Sequence, residues 1–318
     1  MAQFCGFHAS CQGFSHIKST TPCQDASDYF ADGSLVVCAV SDGHGGDKYF
    51  RSDVGAQKAV GIAVAAVREF MDRQGLYAAE GRKSSNNKKI LTADNYVKIL
   101  SELAAYIVCQ WVGQVEEHWA ETPPTEAETA LLEKHFAGGD GINILKIYGA
   151  TLIAGVMSED ANFAMQIGDG AVCVIKANGA KEIPAETVDE GQFGGHTNSL
   201  SSSDCLPLFS FYYAKKPLKA IVVASDGVTD SYGGNDGRDF LNFCGKMVEL
   251  YEDDYQQAQA FVEEWLPCLS GQGSQDDMSV AGVLRLTESV NEGVAMPANE
   301  MEMVSNAGDN QEGITGPE

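Results

Sequence analysis

The sequence predicts an α+β chain: short antiparallel strands carry the core and long helices cover them. Residues 150–157 (ATLIAGVM), 162–167 (NFAMQI) and 171–176 (AVCVIK) are short apolar runs separated by polar or glycine-bearing turns, the pattern of a meander. Two longer stretches, 53–72 and 94–119, repeat apolar side chains at the helical period. Two more apolar runs end in the same word, Ser-Asp-Gly, at 41–43 and 225–227. With 318 residues, 44% apolar and 21% charged, the chain can bury a sizeable core.

In chain order, 35–40 (LVVCAV) is β-branched-rich and stops at turn residues, so it reads as a buried strand. The first helix carries Ala56, Ala59, Val60, Ala63, Val67 and Met71 on one side, with Ser52 or Asp53 as its cap. Residues 81–93 are polar and locally basic and read as a loop. The second helix has the stripe Tyr96, Leu100, Leu103, Ile107, Trp111, Val115 and Trp119, and Pro123-Pro124 ends it. Residues 187–217 are rich in Ser, Gly, Asn and Asp and read as a long irregular excursion. The run 220–225 (AIVVAS) is a strand, helices follow at about 236–250 and 255–268, and 279–286 is the last strand. Residues 288–318 hold seven acidic and no basic residues and few large aliphatics, the composition of a disordered tail. One domain, 1–287, is therefore expected, followed by an acidic tail, 288–318.

The formal net charge is -24, of which the last 31 residues supply -7. Such a balance argues against nucleic acid and anionic membrane surfaces as partners and suits a protein that gathers carboxylates around cations. The nine cysteines form no C-x-x-C pair, and several lie inside apolar runs, so reduced thiols and a cytoplasmic location are expected. No basic-plus-apolar leader opens the chain, and no apolar stretch reaches the ~18 residues of a membrane span.

The chemistry is carried by four strand ends that each offer a carboxylate. V-V-C-A-V-S-D42-G43-H44-G45-G46 and I-V-V-A-S-D226-G227 share one design, G168-D169-G170 follows another strand, and S274-Q275-D276-D277 precedes the last. Asp-Gly is a common turn dipeptide, so any one of these alone is a turn. Their repetition at strand ends, with His44 beside one aspartate, points instead to a hard-cation site with a proton donor next to it. Like charges at short range cannot all stay ionised without a compensating cation.

In this order, D42-G-H-G-G46, G149-A-T-L152, G168-D-G170, S225-D-G-V-T-D230 and D276-D-M-S279 resemble the metal-dependent type 2C protein serine/threonine phosphatases, with P22-C-Q-D-A26 at that family's first acidic motif. The resemblance spans about residues 12 to 286 and implies a four-layer α/β/β/α sandwich, two antiparallel sheets flanked by helices. It implies hydrolysis of phosphoserine and phosphothreonine in proteins by a metal-activated hydroxide, without a covalent intermediate. Two Mn²⁺ or Mg²⁺ ions about 4 Å apart would serve the site, with a third, weaker ion in some members. By the same resemblance, Asp42 bridges both metals, the Gly43 carbonyl binds one, and Asp226 and Asp276 complete the other site. Asp169 and Asp230, with Asp226, match the additional ion's positions, Asp25 is a supporting acid, and His44 is the general acid. A monomer acting in signalling on a phosphorylated protein is expected.

The chain departs from the family pattern in its first motif. Thr20 stands where relatives commonly place a phosphate-gripping arginine, and Gln24 where many have glutamate. Lys18, His16 or Arg51 would have to reach the phosphate instead. His196 and Thr197, in the excursion that matches a variable flap, are candidate substrate contacts. Two alternatives follow: a pseudophosphatase that binds without turnover, and a phosphatase for small phosphate esters. An EF-hand-type structural site is disfavoured, because the acids lack that loop's local spacing.

Overall fold

A computed structural model describes residues 3–74, 91–136, 142–187, 197–233 and 237–286. His196, most of 76–94, part of the 187–217 excursion and the expected tail 288–318 lie outside them. The chain opens with β1 (Gln3–Cys11), α1 (Phe14–Ser19), β2 (Asp25–Ala31) and β3 (Leu35–Asp42). Helices α2 (Ser52–Gln74), α3 (Tyr96–Glu121), α4 (Glu126–Phe136) and the single turn α5 (Ile144–Ile147) follow. Then come β4 (Leu152–Ser158), β5 (Asn162–Ile167), β6 (Ala171–Lys176), β7 (Lys181–Glu182), β8 (Ser210–Tyr213) and β9 (Leu218–Ala224). The chain closes with the short α6 (Asp226–Asp230), α7 (Arg238–Asp253), α8 (Tyr255–Gln272) and β10 (Met278–Leu286).

The strands form two antiparallel five-stranded sheets, ordered β1-β10-β9-β6-β7 and β2-β3-β4-β5-β8. Alternation along β3 shows how they stack. Leu35, Val37 and Ala39 join a core with α2 and α3, whereas Val36, Cys38 and Val40 join Ile221, Val223, Ala281 and Val283 of the other sheet. The outer face of that second sheet packs on α7 and α8 through Cys173, Val222, Phe240 and Met247. The layers are therefore helix, sheet, sheet, helix, as expected from the resemblance. A strand buried on both faces reads as an unbroken apolar run, which is why β3 and β9 were legible.

Several elements differ from expectation. The excursion at 187–217 contains β8, an edge strand paired to β5 through Phe163↔Tyr213 and Gln166↔Ser210. At four residues it is too short for periodicity to register. Strand β1 is interrupted by Gly6 and His8, and β2 begins with acidic and small residues, so neither presents an apolar run. Helix α4 buries none of its side chains and so carries no stripe. The hydroxyl of Ser52, expected to cap α2, instead donates to the His44 carbonyl at 2.9 Å. Among the described residues no helix is long and apolar enough to cross a membrane.

Candidate metal centre

The two sheets bring their acidic strand ends to one edge of the sandwich. Asp42 is the last residue of β3, Asp226 the first of α6 just after β9, Asp169 sits in the β5–β6 turn, and Asp276 precedes β10. Asp25 lies directly across from Asp42 in the β2–β3 register. One carboxylate oxygen each from Asp42, Asp169 and Asp226 lie within 4.8 Å of one another.

Local hydrogen bonds hold each acid in place. The Asp42 amide donates to Thr151 Oγ1 at 2.9 Å, and the Thr151 amide returns a bond to the Asp42 carbonyl at 2.8 Å. The His44 amide donates to the Gly149 carbonyl at 2.9 Å. A side chain at 149 would place its Cβ 2.6 Å from His44 Cδ2, so glycine is required beside the imidazole. The G-A-T word thus holds Asp42 and His44 in position. Ser225 Oγ donates to Asp25 Oδ2 at 2.6 Å and accepts from the Ser279 amide at 2.9 Å, tying the two sheets together beside the acids. A Cβ on Gly227 would lie 2.0 Å from the Asp277 carbonyl oxygen, so only glycine lets α6 approach the loop that carries Asp276.

Burial and mutual repulsion push these carboxyls up. Desolvation is the largest cause at Asp42, followed by Asp25, Asp226, Asp169 and Asp276, and its pKa rises well above the ordinary value. Asp25 is pushed up to about 8 by desolvation, opposed by its bond from Ser225, with Asp277 and Asp226 adding repulsion. Asp226 is pushed up to about 7 by desolvation and then by Asp169, Asp276 and Asp230. Asp230 is raised by desolvation, Asp169 and Asp276. The arrangement fits a divalent cation. The donors are hard oxygens, their repulsion has no compensating side-chain cation at hydrogen-bond range among the described residues, and buried Asp169 Oδ1 has no hydrogen-bond partner.

The converging triad includes two of the three acids expected to hold the metal pair, Asp42 and Asp226. Asp169, which the resemblance linked to an additional ion, contributes to the tight triad. Asp276, whose Oδ1 accepts the Asp277 amide at 2.9 Å, is not in the triad, although its charge reaches Asp42, Asp226 and Asp230. Asp230 lies exposed at the end of α6 and is likewise outside the triad.

His44 is half-buried, and its ring stands 4.9 Å from that of Tyr49. Desolvation lowers its pKa, Asp169 acts to raise it, and Lys48 acts to lower it further. Thr197 Oγ1 donates to Asp169 Oδ2, so this candidate substrate contact supports a carboxylate of the cluster. Arg51 has a different task from the one expected. Its guanidinium is buried, with Nε and Nη2 on Glu128 and Nη1 on the Thr122 carbonyl and the Tyr148 hydroxyl, which uses four of its five N–H donors. It pins α2 to α3, α4 and the loop before Gly149 rather than presenting a free fork. Lys18 rests over the Phe14 ring at 4.2 Å on exposed α1.

Two residues matter more than the sequence suggested. Asp277 is buried and accepts the amides of Gly13 and Gln24 at 2.6 Å each, with His16 Nδ1 2.9 Å from its Oδ2. It fastens the first acidic motif to the loop of Asp276. The signal was the doubled acid at the mouth of a strand, where successive side chains point to opposite faces. Gln24 Nε2 donates to the His44 carbonyl at 3.2 Å and to Ser52 Oγ at 2.5 Å, so it braces the His44 loop.

The chain is similar to several solved structures. The manganese-bound catalytic domain of the serine/threonine phosphatase PstP is 14% identical, over 90% of this chain and 100% of its own, with a TM-score of 0.49. The Mycobacterium tuberculosis serine/threonine phosphatase PstP/Ppp is 13% identical, over 90% and 100%, also at 0.49. PppA of Pseudomonas aeruginosa is 14% identical, over 89% and 98%, at 0.49. No curated protein matches the chain. A family model for protein phosphatase 2C matches residues 12–267, so the chain belongs to the protein phosphatase 2C family.

Proposed function

We propose that this chain hydrolyses phosphoserine and phosphothreonine in proteins, using divalent cations held by Asp42, Asp169 and Asp226, with Asp276, Asp230 and the Gly43 carbonyl completing their shells. The observation that carries the reading is the convergence of three carboxylate oxygens within 4.8 Å at a site where the carboxyl pKa values of Asp42 and Asp226 are raised. Bound Mn²⁺ or Mg²⁺ supplies Lewis acidity, which offsets charge on the phosphoryl oxygens and lowers the pKa of coordinated water.

The chain's own residues do the rest. Asp42 and Asp226, at the ends of strands in two different sheets, would hold the cations on a rigid frame. Asp25, held by Ser225, stands behind Asp42 as an acceptor for protons leaving the site. His44 protonates the departing serine or threonine oxygen. Its depressed pKa favours the neutral ring in the free protein, and a bound phosphoryl dianion nearby raises that pKa toward the protonated form. Free thiols at all nine cysteines suit the cytoplasm.

Hydrolysis of a phosphothreonine peptide and of para-nitrophenyl phosphate with Mn²⁺, with Mg²⁺ and with EDTA tests the proposal. Metal-dependent turnover with preference for the peptide is expected. A folded, metal-loaded chain that turns over neither substrate would contradict it, and preference for the small ester would contradict the protein substrate.

A further inference from the structure

We propose that Lys48 binds the non-bridging oxygens of the substrate phosphoryl group, and of the inorganic phosphate product, from a platform that Tyr49 forms beside His44. The inference rests on the phosphatase reading above and names a residue that grips its substrate.

Lys48 sits in a 3₁₀ turn, Asp47–Tyr49, immediately after the Asp42–Gly46 loop. Its Nζ lies 4.7 Å from the centroid of the Tyr49 ring, and the same ring stands 4.9 Å from His44. One aromatic side chain therefore contacts both the ammonium and the imidazole. A cation resting on an aromatic face keeps most of its hydrogen-bonding capacity, because the ring takes none of its three N–H donors.

Lys48 is also available. Among the described residues no carboxylate forms an ion pair with it. The neighbouring acid, Asp47, is engaged elsewhere: Lys134 Nζ lies 2.5 Å from Asp47 Oδ2 and His135 Nε2 lies 3.9 Å from it. The other cations considered are differently placed. Arg51 is buried against Glu128, and Lys18 rests on Phe14 of α1.

The electrostatic need is specific. A phosphoryl dianion entering this edge meets Asp42, Asp169, Asp226, Asp230 and Asp276, and cations that only neutralise those acids leave the dianion's own charge partly unmet. An ammonium carried on the ring that also contacts His44 supplies attraction for the phosphoryl oxygens. As a compact point charge on a flexible stem, it attracts phosphate without the two-pronged geometry of arginine.

The test is calorimetric titration of inorganic phosphate into Mn²⁺-loaded protein, for the wild type, Lys48→Met and Lys48→Arg, together with steady-state kinetics. Lys48 is exposed, so both variants are expected to fold. Lys48→Met should weaken phosphate binding by roughly 10-fold, the size of one exposed charge-assisted hydrogen bond. It should raise KM for phosphopeptide similarly with kcat nearly unchanged, the sign of lost ground-state binding. Mn²⁺ affinity should stay the same, and Lys48→Arg should keep most of the phosphate affinity. Unchanged phosphate affinity and KM in Lys48→Met would overturn the proposal while leaving the phosphatase reading intact. Loss of Mn²⁺ binding in Lys48→Met would also overturn it, since the effect would then be on the metal site. If the wild type turned over no phosphoester, the phosphatase reading would fall, and the phosphate titration would still decide the role of Lys48.

Discussion

The two Ser-Asp-Gly words are nearly identical in sequence and differ in structure. At 41–43 the word stays with the sheet: Ser41 Oγ donates to the Thr151 carbonyl at 2.5 Å, and Asp42 is held by Thr151, which immediately precedes the neighbouring strand β4. All of its support comes from one sheet. At 225–227 the word leaves the strand and turns into α6, and Ser225 reaches across to Asp25 of the other sheet. Asp42 is thus positioned within a sheet, and Asp226 together with the link between sheets. A cation held by both would span the two halves of the sandwich.

The largest test of that contrast is removal of either acid. Asp42→Asn and Asp226→Asn should each lower metal-dependent turnover by more than about 100-fold, beyond the usual effect of a residue that only supports a ligand. In the absence of metal, both variants should be at least as stable as the wild type, because each removes a repelling carboxylate. Melting curves with and without Mn²⁺ would show it: the wild type should gain stability from Mn²⁺ and the variants should gain much less.

The supports should then separate. Thr151→Val removes the acceptor of the Asp42 amide, so turnover should fall by roughly 10- to 100-fold, as for other partners of metal ligands. Ser225→Ala leaves Asp25 and the Ser279 amide without their shared hydroxyl, and should lower unfolding stability by about 1–3 kcal/mol in urea titrations. If Ser225→Ala left stability unchanged, the inter-sheet role of the second word would be wrong.

The pH dependence of the metal-free chain has a definite sign. Asp25 titrates at an ordinary 3.8 when solvated and at about 8 when folded, so the folded state holds the extra proton between these values. Stability of the metal-free protein should therefore fall as pH rises from about 4 to 8, and Mn²⁺ should flatten that slope. The smallest expected effect on catalysis is at Arg51. Arg51→Met should lower the melting temperature but leave KM for para-nitrophenyl phosphate unchanged, because its donors serve Glu128, Thr122 and Tyr148.

Much of the fold was legible because β3, β4, β5, β6 and β9 are apolar on both faces and α2 and α3 carry long stripes, but the meander expected over 150–176 is broken: β5 pairs with β4 and β8, whereas β6 crosses to the other sheet and pairs with β9 and β7. Strands β1, β2 and β8 were hidden for a common reason: one is broken by Gly6 and His8, one starts with Asp25, and one has four residues. Their identity depends on pairing with partners far along the chain, which local pattern does not record. At the site, the acids were legible as strand-end words. Which three of them converge was not, because that depends on how the two sheets bring separate strand ends together, which local sequence does not record. The engagement of Arg51 was not legible for a similar reason, since its partner Glu128 lies on α4, a helix without an apolar stripe.

The central claim is that the raised carboxyls at this edge form a cation site. Calorimetric titration of Mn²⁺ at pH 7, in two buffers of different ionisation enthalpy, tests it most directly. The account predicts saturable binding accompanied by net proton release, because carboxyls protonated in the metal-free chain must ionise to become ligands. Absence of saturable binding, or binding that releases no protons and persists in Asp226→Asn, would contradict it.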